Sequence, residues 1–480
     1  VPPAFSGWHF FDLTFLAMPG PAEAAPLVSG SNAPASTPSG CAPGNKSIIA
    51  GVAVVVLLIA GGAIALRIVL PGLHHGKGPS PTAAPTPVPP GPGPSGLLKF
   101  AVSECTVSGG CQSQTAALTI DQNYRWYHDP NDSKTCKCTD DPAQCSQCVL
   151  DSPDKETYLD KYDVSVSSDL LSLTLGFKTG GSRLYLLDKT HKGYQALQLL
   201  GKEFTFTIDS STLPCGMNGA LYLVEMRADG SGGFGPTFGT GYCDAQCPTF
   251  PKTISGQANT NATPQCCNEF DFWEANRAAT VMTTHPCQKA DGSDVEGIHV
   301  CVGEECKAGN ASVCDKNGCG LNPYANGDTD FYGNWSTVTG VDSSKPFSVT
   351  TQFITEGSEL SEIRRFYMQD GKKINYPDTT VGGTTFDSMT DKYCTAKGAT
   401  FDGKGELAIM GRSLQRGMVL ALSLWNDPAG GMVWMDGAPP WTQKGHRIGP
   451  CGQMDESQSK DEGMQVVYSN IKFGEIGSTI

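Results

Sequence analysis

Three stretches alternate apolar and polar residues: Leu171-Ser172-Leu173-Thr174-Leu175, Phe204-Thr205-Phe206-Thr207-Ile208 and Leu420-Ala421-Leu422-Ser423-Leu424. A period of two sends successive side chains to opposite faces, the pattern of half-buried β-strands. Ile363 to Met368 followed by Asp370-Gly371 predicts a strand entering a hairpin, because Asp-Gly tolerates the positive φ angles of a tight primed turn. No long segment carries helical periodicity, and the glycine fingerprint of a dinucleotide-binding fold is missing. Residues 97–480 therefore predict an all-β domain, two antiparallel sheets packed as a sandwich with large loops.

The N-terminal part follows a different pattern. Ser47 to Leu66 contains no charged side chain and is bounded by Lys46 and Arg67. Twenty apolar residues at 1.5 Å rise span about 30 Å, the thickness of bilayer hydrocarbon, which predicts a transmembrane helix over 47–70. A cleaved signal peptide is the competing reading, but it calls for a shorter apolar run nearer the N-terminus. Residues 1–46 are rich in Pro, Ala, Ser and Gly and read as a disordered tail. In the linker over 71–96, eight of the nineteen residues from Gly78 to Gly96 are Pro, which stiffens it toward an extended polyproline stalk.

Charge and cysteine content narrow the function. The chain has 34 basic and 48 acidic residues, and no basic patch of the kind that binds nucleic acid or anionic lipid is visible. Of 19 cysteines only Cys41 precedes the apolar segment, and the eighteen that follow suit complete pairing in an oxidising compartment. The C-terminal domain is thus expected outside the cell or in the lumen, with secretion after cleavage as the alternative. Lys46, Arg67 and Lys77 do not favour this orientation, whereas glycosylation sequons at Asn131, Asn261, Asn310 and Asn334 agree with it. Cys136, Cys138, Cys145 and Cys148 have the spacing of a zinc set, but an oxidising compartment favours two disulfides instead.

The candidate chemistry lies between Cys266 and Asn276, where Glu269, Asp271 and Glu274 interrupt an apolar and aromatic run. On a regular strand Glu269 and Asp271 share a face and Glu274 points away; one β-bulge between Asp271 and Glu274 brings all three to the same side. The outer two would be roughly 13 Å apart along the backbone, and side chains leaning inward could close this to the about 5 to 5.5 Å of a retaining glycosidase. One carboxylate would attack the anomeric carbon and the other would protonate the leaving oxygen, while Asp271 hydrogen-bonds and orients Glu269. Spacing alone equally allows the solvated acidic face of an exposed strand.

The run Cys-Cys-Asn-Glu-Phe-Asp-Phe-Trp-Glu-Ala-Asn from Cys266 to Asn276, with Thr283-Thr284-His285-Pro286-Cys287 after it, resembles the signature of the family 7 glycoside hydrolases, cellulases with a concanavalin-like jelly roll. The resemblance extends from about Cys105 to the end. It includes Leu213 to Tyr222, Gly239 to Cys247 and Tyr468 to Gly474. It implies Glu269 as nucleophile, Asp271 as its partner, Glu274 as acid/base and His285 as a sugar-contacting neighbour of Glu274. It also implies stacking positions at Tyr124, Trp126, Trp425 and Trp434, and a hydroxyl-binding set of Arg183, Asn218, Tyr222, Asp244, Gln246, Lys252 and Thr283. The disulfides it implies are Cys105–Cys111, Cys215–Cys451, Cys243–Cys267, Cys247–Cys266, Cys287–Cys314, Cys301–Cys306 and Cys319–Cys394, pinning long loops.

Departures from the family bear on the mode of action. Cys136 and Cys138 are one residue apart, only Thr260 to Gln265 separate Asn259 from Cys266, and Lys307 to Val313 is short. These are truncations relative to tunnel-forming members. Asn317, Gly320 and Ala325 replace charged residues of their product region, while Ala438 to Ile448, with Trp441 and Arg447, keeps a wall. The expectation is a monomeric, membrane-tethered, retaining β-1,4-glucanase that cuts cellulose or a related β-glucan internally in an open groove. A cellobiohydrolase is the alternative, followed by a non-catalytic carbohydrate-binding wall protein or an adhesion protein. Two carboxylates and water suffice for the reaction, so neither metal nor organic cofactor is expected.

Overall fold

The computed structural model describes residues 96–480 other than 132–133, 137–147, 179, 232–233, 255–256, 260, 334–338, 399–405, 428–430, 441–445 and 453–462. The tail, the membrane helix over 47–70 and the linker up to residue 95 lie outside the described residues, as do Cys138, Cys145, Asn334 and Trp441. The chain divides into units of residues 1–80 and 81–480, and only the second holds described residues. Among the described residues no helix is long and apolar enough to cross a membrane.

The alternating segments form strands Ser172–Gly176, Lys202–Asp209 and Met418–Asn426. Glu359–Gln369 turns through Asp370 (φ 51°) and Gly371 (φ 73°) into Lys372–Asn375, the two positive φ values that a tight primed hairpin requires. One ladder runs in the order Cys319–Leu321, Thr280–His285, Glu269–Ala275, Met217–Val224, Met418–Asn426, Ser182–Leu187, Gly110–Ile120, Leu98–Thr106, Gln465–Glu475, Lys202–Asp209, Phe347–Glu356, Glu359–Gln369 and Lys372–Asn375. It folds back on itself as two layers. Phe272 stacks on Phe204 with ring centroids 4.4 Å apart, Trp273 meets Phe206 at 6.2 Å and Phe270 meets Phe353 at 5.2 Å, although these strands are far apart along the ladder. The core of the sandwich is this aromatic layer with the Leu, Ile and Val side chains of both sheets.

Two features depart from the purely antiparallel, all-β expectation. Where the layers join, Leu98–Thr106 pairs with Gln465–Glu475 in parallel, over Ser103, Glu104 and Cys105. Four α-helices occur among the described residues, the longest being Glu406–Arg416, with Leu407, Met410 and Leu414 buried. Those positions recur at three and four residues, a helical period too short-lived to register beside the strand patterns. Seven disulfides have the expected pairings, and an eighth joins Cys136 to Cys148. Asn131, Asn261 and Asn310 are exposed.

The strand Glu269–Ala275 carries the bulge. Its pairing with Thr280–His285 matches Asp271 with Thr283 but Glu274 with Val281, and its pairing with Met217–Val224 slips between Leu221 and Tyr222. Three steps on one strand oppose two on its neighbour, so Phe272 and Trp273 both enter the core while Asp271 and Glu274 both leave it. A bulge leaves ladder groups unpaired, and here they are buried. Arg365, only 4% exposed, reaches from the other layer to donate to the Phe272 carbonyl and, at 3.2 Å, to Thr351 Oγ1, with its guanidinium 5.9 Å from the Trp273 ring. Arg365→Leu should leave that carbonyl unsatisfied in the core and lower stability by about 1–3 kcal/mol, measured by denaturant unfolding. An unchanged midpoint would show that the bulge is held elsewhere.

Candidate active site

Both ends of the acidic strand are fixed by buried side chains. Asn268 donates to Glu225 Oε2 (2.7 Å) and the Val295 carbonyl (2.9 Å), and accepts from the Cys287 amide (2.6 Å). Glu225 is in turn held by Ser413 and Arg416 of the helix Glu406–Arg416. At the other end Asn276 donates to Asp436 Oδ2 (2.7 Å), which also accepts from the Gly216 amide (2.8 Å). The disulfides Cys243–Cys267 and Cys247–Cys266 tie the residues just before the strand to the segment Asp244–Gln246.

Between these anchors the three carboxyl groups face away from the core, each with its own partner. Glu269 Oε2 accepts from the Ala245 amide at 3.0 Å, Asp271 Oδ2 lies 3.3 Å from His285 Nε2, and Glu274 Oε1 accepts from Asn218 Nδ2 at 3.0 Å. His285 thus pairs with Asp271 and also acts electrostatically on Glu274, while Glu269 has the Ala245 amide as a hydrogen-bond donor and Asp271 as a charged neighbour. His285 Nδ1 donates to the Asp315 carbonyl at 2.7 Å, which leaves Nε2 to face the aspartate. Gly318 makes room for the ring: with φ +67°, a Cβ there would meet His285 Cε1 at 2.6 Å.

Burial sets the protonation states. It pushes the Glu274 carboxyl up to about 8, with the Asp271 charge adding to the shift and His285 and the Asn218 amide opposing it. Glu269 is raised well above the ordinary glutamate range by burial, then by Asp271 and Asp244, against His285 and the Ala245 N–H. For His285 burial favours the neutral ring, but Asp271, Glu269 and the Asp315 carbonyl outweigh it and raise its pKa to about 10, so it is an imidazolium at neutral pH.

The sequence of this chain matches the family model Glycosyl hydrolase family 7 over residues 96–480. The chain belongs to glycosyl hydrolase family 7. The Endo-beta-1,4-glucanase celB of Aspergillus oryzae is 39% identical over 403 residues, covering 78% of this chain and 91% of that protein. Among solved structures, a family 7 cellobiohydrolase from Daphnia pulex superposes with a TM-score of 0.73 at 35% identity, covering 80% of this chain and 98% of the other. The native endocellulase of Humicola insolens does so at 0.70 and 35%, covering 82% and 100%. The protein is a glycoside hydrolase.

In this family 7 chain the other expected site residues divide between two flanks. On the Glu274 flank, Asn218 pairs in register with Trp425, and the Trp425 and Trp434 rings stack at 23° over Val281, Met432 and Met435. Thr283 sits across the ladder from Asp271. On the Glu269 flank, Tyr222 Oη lies 3.2 Å from Tyr242 Oη, Tyr242 donates to Asp244 Oδ2 at 2.6 Å, and Asp244 Oδ1 accepts from the Gln246 amide at 2.8 Å. Trp126, half-buried, stacks on His128 at 3.9 Å, and Tyr124 packs against the core.

Three cations of the expected hydroxyl-binding set and wall also make contacts within the fold. Arg183 is buried, pairs with Asp121 at 3.3 Å, donates to Tyr185 and lies 3.4 Å over the Tyr242 ring. Lys252 donates to the Asn123 carbonyl at 3.0 Å and to the Arg125 carbonyl, and burial lowers its pKa to about 8. Arg447, exposed, donates to the Gly449 and Cys451 carbonyls. Sequence reasoning missed Asp121, Asp315 and Lys316, and also Phe250, a 54% exposed ring stacked at 18° beside Tyr242. Phe250 follows Asp244 and Gln246 within the matched segment's continuation, and that proximity was the available signal.

Glu274, His285 and Glu406 are all raised in the folded state, Glu406 to about 8 by burial and then by Asp315. A raised pKa means that the folded chain holds more protons than the unfolded one between the two values, so stability falls as pH rises through that window. The glutamates act between about 4.5 and 8 and His285 between about 6.5 and 10. The melting temperature should therefore decline from pH 5 to pH 7 in calorimetry, below the range where Lys252, lowered to about 8, adds the opposite slope; a rise over that range would contradict these assignments.

Proposed function

We propose that this chain hydrolyses internal β-1,4-glucosidic bonds of cellulose or a related β-glucan with retention of configuration, Glu269 acting as nucleophile and Glu274 as acid/base. The observation that carries the reading is the bulge that puts Glu269, Asp271 and Glu274 on one face with separate partners. Two buried carboxyls that both repel Asp271 will not readily ionise together. Glu269 takes the anion's part because a backbone N–H, that of Ala245, donates to it at 3.0 Å. Glu274, raised to about 8 by burial and held by the neutral Asn218 amide, keeps a proton at neutral pH that it can donate. Attack by Glu269 then gives a glycosyl-enzyme as Glu274 protonates the leaving oxygen, and Glu274 next takes a proton from the water that releases the sugar.

Internal cutting is supported by the short Lys307 to Val313 loop, by Gly320, which offers only backbone beside Val281 and Thr283, and by the relatives named endo-β-1,4-glucanases. The Trp425–Trp434 pair and the Tyr222–Tyr242–Asp244 cluster suit the apolar faces and hydroxyl rims of a glucan chain on the two sides of the bond. Eight disulfides among the described residues support work in an oxidising compartment outside the cytosol.

The test is viscometry of soluble carboxymethyl cellulose alongside reducing-end assay and product analysis on cellulose. Viscosity should collapse while few reducing ends have formed, and Glu269→Gln should lose activity by at least about a thousandfold. Release of cellobiose alone with viscosity maintained would favour the cellobiohydrolase alternative. Full activity in Glu269→Gln would remove the nucleophile assignment.

A further inference from the structure

The segment Asp315–Gly318 touches both halves of the acid cluster. Its first residue offers the carbonyl that fixes His285 Nδ1, and Gly318 packs under the same ring while its amide donates to Asp315 Oδ1 at 3.0 Å. Between them Lys316 makes a reciprocal contact with a residue seventy positions away: Lys316 Nζ donates to the Gln246 carbonyl at 2.5 Å, and Gln246 Nε2 donates to the Lys316 carbonyl at 2.8 Å. Gln246 follows Asp244 and Ala245, whose carboxylate and amide adjoin Glu269. The Lys316 ammonium is partly buried and interacts electrostatically with Asp244 and Glu269.

We propose that Lys316 is a positioning residue for the reaction, latching the Asp244–Gln246 segment against the His285 side of the site and supplying the positive charge that faces Asp244 and Glu269. The inference rests on the reading of Glu269 as nucleophile. Among the described residues, the ionisable groups shown to act on Glu269 are Asp271 on its own strand, His285 on the next, Asp244 on the latched segment, Tyr222 and Tyr242 on the wall, and Lys316 opposite. Among these described groups the positive charges are His285, which is paired with Asp271, and Lys316. Burial raises Asp244 as well, with Tyr242, Arg183, the Gln246 amide and Lys316 opposing the shift. Removing the ammonium therefore makes the Asp244–Glu269 pair hold its proton to higher pH, whichever of the two carries it.

The experiment compares pH profiles of kcat/KM for the full chain and its Lys316→Met, Lys316→Gln and Lys316→Arg variants on a soluble β-1,4-glucan oligosaccharide such as cellopentaose, with melting temperatures recorded alongside. Lys316→Met should move the acidic limb upward by about half to one pH unit, a roughly three- to tenfold loss on that limb that fades as the pH rises. Lys316→Arg should restore the limb. If the methionine variant does not fold, Lys316→Gln, which keeps a donor for the Gln246 carbonyl but no charge, gives the same readout. An acidic limb that coincides with the wild type, a loss equal at every pH, or an arginine variant as shifted as the methionine one would each overturn the proposal. Those results leave the nucleophile assignment intact, since that fails only if Glu269→Gln stays active.

Discussion

A single extra residue in one β-strand governs this site. Side chains on a strand alternate strictly, so Glu269 and Glu274, five positions apart, belong on opposite faces unless the count is broken. The bulge at Phe272 breaks it, and the cost is a buried stretch of unpaired backbone with two large aromatics side by side on the inner face. The sandwich absorbs both: Arg365 satisfies the carbonyl from the opposite sheet, and the Phe204, Phe206 and Phe353 rings form the pocket that receives Phe272 and Trp273. The geometry of the acidic strand is thus fixed from the core outward, by buried residues.

What surrounds the strand follows from that demand. A bulged strand could slip in register, and the anchors Asn268–Glu225 and Asn276–Asp436 stop it at each end with charge-assisted hydrogen bonds in low dielectric. The paired disulfides behind the strand hold the Asp244–Gln246 segment close enough for the Ala245 amide to reach Glu269. Asp436 also caps the arrangement on the far flank: it closes the short helix Val433–Asp436 that carries Trp434, so the stacking surface and the strand end share one carboxyl group.

The sheet was legible because its signal is local. Alternation at Leu171 to Leu175, the Asp370-Gly371 turn and the need for a bulge before Glu274 can all be read within a few residues, and each corresponds to an observed element. The helix Glu406–Arg416 escaped because three turns of period are a weak pattern beside strong strands. The cations escaped for another reason. Nothing near Arg183, Lys252 or Lys316 in sequence indicates whether the charge meets solvent, a sugar or a carbonyl; that depends on Asp121, Arg125 and Gln246, brought in from elsewhere by the fold. His285 was found through its motif, but its pairing with Asp271 is a fact of cross-strand register, with His285 opposite Glu269 at the unbulged end.

Charge accounting explains why so many cations turn inward in an acidic protein. Four carboxyl groups, Asp244, Glu269, Asp271 and Glu274, are each at most 9% exposed. Ionising all of them there would cost several kcal/mol per unpaired charge. The site meets this by graded compensation. Asp271 has an imidazolium, Asp244 has Tyr242 and the Gln246 amide with Arg183 and Lys316 beyond, and Glu269 and Glu274 each have one amide with the His285 charge nearby. Burial raises both glutamates above their ordinary range, Glu274 to about 8, so neither ionises as it would in water. The two glutamates on one face thus differ in their partners, a backbone amide for Glu269 and a side-chain amide for Glu274, rather than in their own chemistry.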